Sequence, residues 1–169
     1  MNNINRDISI DIDGLGVALY SPGMVTDIAV GNNFLMQEFN HPADIGEHIR
    51  KGDITAFCTG TPGQFELRFR SGYPDEIINK EYPVSIRLGL QVKGGKIHVI
   101  DLYWLMEFTT ECPQEQVIEV KDGFYHITAL TRKPNSGRWG DNQSIFIYLN
   151  ELPEMPELAW DGAPPLFTE

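Results

Sequence analysis

Four histidines, His41, His48, His98 and His126, are the only imidazoles in the 169-residue sequence. Imidazoles are the first groups to weigh for acid–base or metal chemistry near neutral pH. No two of them stand four apart on a helical pattern, as a zinc protease requires, and no Cys-x-x-Cys pair accompanies them. His98 and His126 fall in strand-like runs between apolar neighbours and read as polar-face residues. They would do acid–base work only if the fold brought them and an acid within hydrogen-bond reach. Cys58, in ITAFCTG, reads as a buried free thiol, and Cys112 precedes a proline far away; neither has ligand spacing.

Other constellations are missing too. No Gly-x-Ser-x-Gly elbow occurs, and the Gly94-Gly95-Lys96 run is not followed by a helix that would complete a phosphate cradle. Asp11 and Asp13 in DIDGLG lack the later ligands of a calcium loop. The reading is a protein without catalytic residues, cofactor or metal, whose work is done by surfaces.

Two stretches have the residue types that anchor interfaces. The loop at 134–142 carries Arg138 and Trp139 between glycines. The C-terminal stretch carries Trp160 among Glu151, Glu154, Glu157 and Asp161. These seven residues form the candidate partner-binding set, although Trp139 as a plug at one end of the fold and Trp160 as a pin for the tail explain the same residues structurally. A formal charge of −11 and a pI near 4.7 disfavour direct nucleic-acid binding and attachment to an anionic membrane. They favour a basic protein partner, which an acidic rim would steer. A rival reading gathers Tyr103, Trp104, Tyr125 and Tyr148 on a concave face that holds a small molecule or sugar. A second rival assembles His98, His126 and an acid into an enzyme site. MNNINRDISI has no secretory pattern, and no apolar run reaches the length of a membrane span, so the expected location is the cytoplasm.

Alternating apolar residues supply most of the elements. Val84, Ile86, Leu88, Leu90 and Val92 alternate before Gly94-Gly95; QVIEVKDGFYHITALTR repeats the pattern around Asp122-Gly123; and Ile8, Ile10 and Ile12 lead through Asp13-Gly14 to Leu15, Val17 and Leu19. All three read as hairpins. ITAFCTG and QFELRFR read as a further strand pair, and SIFIYL as the final strand. Residues 21–40 are looser, SGYPDEIINKEYP is a connection, and TRKPNSGRWGDNQ is a long loop. HPADIGEHIRKG is the one expected helix, with Pro42 in its first turn, Ile45 and Ile49 facing inward and Gly52 as its stop. The sum is an all-β protein, an antiparallel β-sandwich of eight or nine short strands with one short helix, or alternatively a β-barrel. Residues 1–150 form one domain, and 151–169 an acidic, proline-rich extension packed on its surface.

The order NKEYPVSIRLGLQVKGGKIHVIDLYWLMEFTTECPQEQVIEVKDGFYHITALTRKP, closed by the aromatic and β-branched strand SIFIYL, resembles the competence nuclease inhibitor (Nin) family of small bacterial proteins over residues 79–149. The resemblance implies an acidic inhibitor or immunity protein that occludes a basic nuclease or toxin. It transfers no binding motif residue by residue.

Overall fold

The computed structural model describes residues 3–168 and contains nine strands: β1 (Asn5–Ile12), β2 (Gly16–Tyr20), β3 (Ile54–Cys58), β4 (Gly63–Ser71), β5 (Val84–Val92), β6 (Lys96–Asp101), β7 (Val117–Glu119), β8 (Gly123–Thr131) and β9 (Gln143–Leu152). They form a five-stranded sheet in the order β1-β4-β9-β8-β5 and a four-stranded sheet in the order β3-β2-β6-β7. The expected β-sandwich is present, with neither sheet closed into a barrel. Its ladders depart from the antiparallel expectation once, where β4 and β9 run parallel with Phe65 opposite Gln143 and Ser71 opposite Leu149.

None of the expected hairpins is one. β1 and β2, β3 and β4, β5 and β6, and β7 and β8 each divide between the two sheets. Their short turns carry the chain across the sandwich rather than back along the same ladder. Alternation reports which side chains face inward and is silent about which strand supplies the hydrogen bonds. A glycine pair such as Gly94 (φ 97°) and Gly95 (φ 76°) turns a chain between layers as readily as it turns it within one. The inward faces meet in a core that includes Ile8, Ile12, Phe65, Leu67, Phe69, Leu88, Leu90, Tyr125, Ile127, Ile145 and Ile147 from one sheet and Val17, Leu19, Phe57, Ile97 and Val99 from the other.

A second apolar cluster covers the far side of the four-stranded sheet. Ala18, Tyr20, Ile54, Ala56 and Ile100 pack there against Phe34, Phe39, Leu105 and Phe108. The loose stretch 21–40 is thus a covering layer and contains α1 (Phe34–Glu38), capped by the Asn33 side chain. The expected helix is α2 (Pro42–Lys51), ended by Gly52 at φ 84°. A third helix, α3 (Glu76–Glu81), lies in the expected connection, its first turn capped by Asp75. Both unexpected helices are too short to show a period in sequence, but each has an Asn or Asp cap. No helix among the described residues is long and apolar enough to cross a membrane.

On one flank the edge strands β5 and β3 lie side by side, and α2 packs on both. The segment after β9 closes what remains. Met155, Pro156 and Leu158 sit over Gly89 of β5, the Trp160 indole N–H donates to the Arg87 carbonyl at 2.6 Å, and the chain then crosses α2 at Gly46. It ends along β3, where the Cys58 N–H donates to the Pro164 carbonyl and the Leu166 N–H to the Cys58 carbonyl, each at 2.9 Å. Leu166 is fully buried in the main core. On the opposite flank the Arg6 guanidinium donates to the Val117 carbonyl at 2.9 Å and joins β1 to β7. If the strap 153–167 is part of the core, Leu166→Ala lowers the unfolding free energy by about 2–5 kcal/mol. Urea titration should show a lower midpoint at unchanged slope; a change of only a few tenths of a kcal/mol would mean the strap is merely adsorbed.

Candidate partner-binding surface

Asp101, the last residue of β6, is buried and serves three backbone donors. Its Oδ2 accepts from the N–H of Asp13 at 2.7 Å and of Gly14 at 3.1 Å, and its Oδ1 from the N–H of Tyr103 at 3.1 Å. A Cβ on Gly14 would lie 2.6 Å from that Oδ1, so the close approach requires glycine. The carboxylate thereby fixes the β1–β2 turn and caps a 3₁₀ helix, Leu102–Glu107. With three residues per turn, Leu102, Leu105 and Phe108 turn onto the second core. The residues between them face out: Tyr103 and Trp104 are each 41% exposed, Met106 44%, and Leu15 on the turn 46%. Alternation assigns no element to LYWLMEF; the Asp101 cap followed by apolar residues at 102, 105 and 108 is the signal for this helix.

Acids surround this group. Asp13 and Glu107 are exposed beside it. α1 packs on the 3₁₀ helix, and between α1 and α2 lies a cavity of about 270 Å³ lined by Gln37, Glu38, Asp44, Glu47, His48 and Lys51. The strap crosses α2 with Glu154, Glu157 and Asp161 exposed. An acidic surface therefore runs from the 3₁₀ helix over both helices to the strap. Within it His48 Nδ1 lies 2.9 Å from Asp53 Oδ1, and that hydrogen bond raises the imidazole above its ordinary pKa of 6.5.

The seven expected site residues do not form one patch. Arg138 is exposed and Trp139 half-buried in the 132–142 loop, at the Gln143 end of β9. Glu151 is near the other end of that strand, eight residues and roughly 26 Å away at the usual strand rise, with its carboxylate 3.3 Å from Lys121 Nζ. Glu154, Glu157 and Asp161 follow along the strap, where Asp161 lies 3.5 Å from Arg50. Trp160 is half-buried against the main core, its N–H already used.

The aromatic set of the ligand-binding reading scatters to three places. Tyr125 is wholly buried, Tyr148 lies on the outer face of the five-stranded sheet, and only Tyr103 and Trp104 share a site. His98 and His126 occupy opposite outer faces of the sandwich. His98 is not on a wet face: it is buried edge-on to Tyr20, and burial and then Lys96 lower its pKa. Tyr20 itself is pushed up to about 12 by burial, with Cys112 contributing. His126, bonded to the Tyr73 hydroxyl at 2.9 Å, is lowered by burial and then by Arg87. Cys58 is a free, half-buried thiol. Among the described residues no group of three or more His, Cys, Asp and Glu side chains is placed to hold a metal.

The architecture is that of a nine-stranded, two-sheet β-protein with a helical flank, and solved proteins share it. One is ComJ from Bacillus subtilis, an inhibitor of the DNA-degrading activity of NucA: the match covers 90% of this chain and 100% of that one, with 10% identity and a TM-score of 0.56. Another is the product of crocagin biosynthetic gene J, matched over 88% of this chain and 98% of that one at 13% identity and a TM-score of 0.53. The shared fold thus extends well beyond residues 79–149. No family model matches the sequence, and no curated protein does.

The raised His48 makes a pH prediction. Because protonation is favoured in the folded state, its contribution to stability is complete below the unfolded value of 6.5 and is lost as pH rises through the folded value. The His48 resonance should titrate above 6.5 by NMR, those of His98 and His126 below it. Asp53→Asn should lower the His48 midpoint and remove its share of the stability lost on raising the pH; an unmoved midpoint contradicts the pairing.

Proposed function

We propose that this protein acts by binding another protein, as an inhibitor or immunity protein that occludes a basic nuclease or toxin. The observation that carries the reading is the exposed Leu15, Tyr103, Trp104 and Met106 group set in an acidic surface. A globular protein has little reason to hold a tryptophan, a tyrosine and a methionine out in solvent on a rigid, carboxylate-capped turn unless a partner covers them. The acids of α1, α2 and the strap, including Glu154, Glu157 and Asp161, would steer a basic partner to that anchor. A nuclease groove is such a partner, since it is basic in order to grip phosphates. The fold shared with an inhibitor of a DNA-degrading enzyme supports the same reading.

The test adds purified protein to the DNA-degrading activities of its host and follows plasmid cleavage. The expected result is saturable inhibition of one nuclease. Trp104→Ala should weaken it by about 2 kcal/mol or more, roughly thirtyfold in concentration, while the triple change Glu154→Lys, Glu157→Lys and Asp161→Lys should mainly slow association. A full set of host nucleases unaffected at saturating protein would end the inhibitor reading. Inhibition that is indifferent to Trp104 would move the site elsewhere.

A further inference from the structure

The outer face of the five-stranded sheet differs from the acidic surface in mixing both signs of charge, with Asp7, Asp11 and Glu66 toward its β1–β4 side and Asp75 near Tyr148. Four arginines gather on it although the chain carries an excess of acid. The registers align Arg70, Tyr148, Thr128 and Arg87 in one row across β4, β9, β8 and β5, and Arg68, Phe146, Leu130 and Ser85 in the next. At a strand spacing of about 4.8 Å the two arginines of the first row stand roughly 14 Å apart. Arg132 completes the group just past the end of β8.

The guanidinium groups are held in place by aromatic rings. Arg132 lies 4.7 Å above the Tyr82 ring, Arg87 5.6 Å above Tyr73, and Arg70 5.7 Å above Phe146. Tyr73 and Tyr82 are the two ends of the connection that carries α3, so that connection braces the arginines from above. Arg68 and Arg70 share a single carboxylate, Asp7, at 2.9 Å each. Arg87 and Arg132 have no carboxylate partner among the described residues. Beside Arg132 the surface opens into a cavity of about 280 Å³, whose lining includes Asn135, Ser136, Asn142 and Ser144, with Asp141 its one acid. Asn142 there is the one non-glycine residue with positive φ, 48°, among those described.

We propose that this face is a second binding surface and that it takes a carboxylate-bearing segment of an acidic protein. Two pre-ordered guanidinium forks without acids, in a chain with 24 Asp and Glu residues against 13 Lys and Arg, are unmatched charges of the kind that planar, bidentate recognition uses. Asp7 between Arg68 and Arg70 shows within the molecule which anion this face accepts. A nucleic acid fits less well. The rings on which bases would stack are already engaged by arginine or by one another. The surface is separate from Trp104, so it would let the protein hold an acidic partner and a basic one at once.

Fluorescence anisotropy tests this with a labelled Asp/Glu peptide of about ten residues, a Gly/Ser peptide and a single-stranded oligonucleotide, at about 50 mM salt, where screening is still weak. The acidic peptide is expected to bind and the neutral one not. Arg87→Ala with Arg132→Ala should weaken binding by about tenfold or more, Arg87→Lys with Arg132→Lys should weaken it less, and Arg138→Ala and Trp104→Ala should leave it unchanged. Thermal unfolding of each variant shows that the fold is kept. Absence of acidic-peptide binding, binding indifferent to both arginines, or tighter binding of the oligonucleotide would overturn the proposal; none of these would bear on the nuclease assay, which reads the Trp104 surface.

Discussion

Two unpaired strand edges, β5 and β3, set the requirement that the rest of this structure meets. An open edge leaves a row of backbone donors and acceptors unused and invites another chain to pair with it. Here the Gln91 N–H of β5 donates to the Gly52 carbonyl at the end of α2, the Arg87 carbonyl takes the Trp160 indole, and the strap hydrogen-bonds to Cys58 at the end of β3. Closing the flank this way places α2, and with it the acids of its outer side, where the covering layer of residues 21–40 can continue them. The acidic surface is thus a by-product of sealing an edge. Gly46 shows how tight the seal is, since a Cβ there would lie 2.4 Å from the Trp160 carbonyl.

The two sheets treat their outer faces differently. The four-stranded sheet buries its outer side under α1 and the 3₁₀ helix, which turns a two-layer sandwich into a thicker body and lifts Tyr103 and Trp104 to a new surface. The five-stranded sheet leaves its outer side to polar and aromatic residues. Acids gather over the first assembly, whereas the second face mixes the signs, with Arg68, Arg70, Arg87 and Arg132 beside Asp7, Asp11 and Glu66.

Much of the architecture was legible in sequence because it rests on local chemistry. Alternation identified the inward residues of β1, β4 and β5, and Pro42, Ile45, Ile49 and Gly52 marked α2 to within a residue. Pairing was not legible, since Gly94-Gly95 and Asp122-Gly123 serve a cross-sheet turn as well as a hairpin and only long-range packing decides between them. Trp160, weighed both as a partner anchor and as a pin for the tail, lies against the core with its N–H on the Arg87 carbonyl, while Trp104 lies in a 3₁₀ helix of six residues, too short to show a period in sequence. The arginine face could not be read at all: Arg68, Arg70, Arg87 and Arg132 are scattered through the sequence and become neighbours only through the β4-β9-β8-β5 order.

That order has a consequence for how the molecule is made. β9 is the last strand of this sequence, yet it lies between β4 and β8 in the middle of its sheet, parallel to one and antiparallel to the other. Until residues 143–152 are available, β1–β4 and β5–β8 are two separate ribbons, each with a sticky margin. The β4–β9 contacts that join them, such as Phe65 with Gln143, are long-range in sequence, a topology associated with slow folding and with intermediates prone to aggregate. β9 is therefore the strand that turns two half-sheets into one, and the strap that closes the flank follows directly from it.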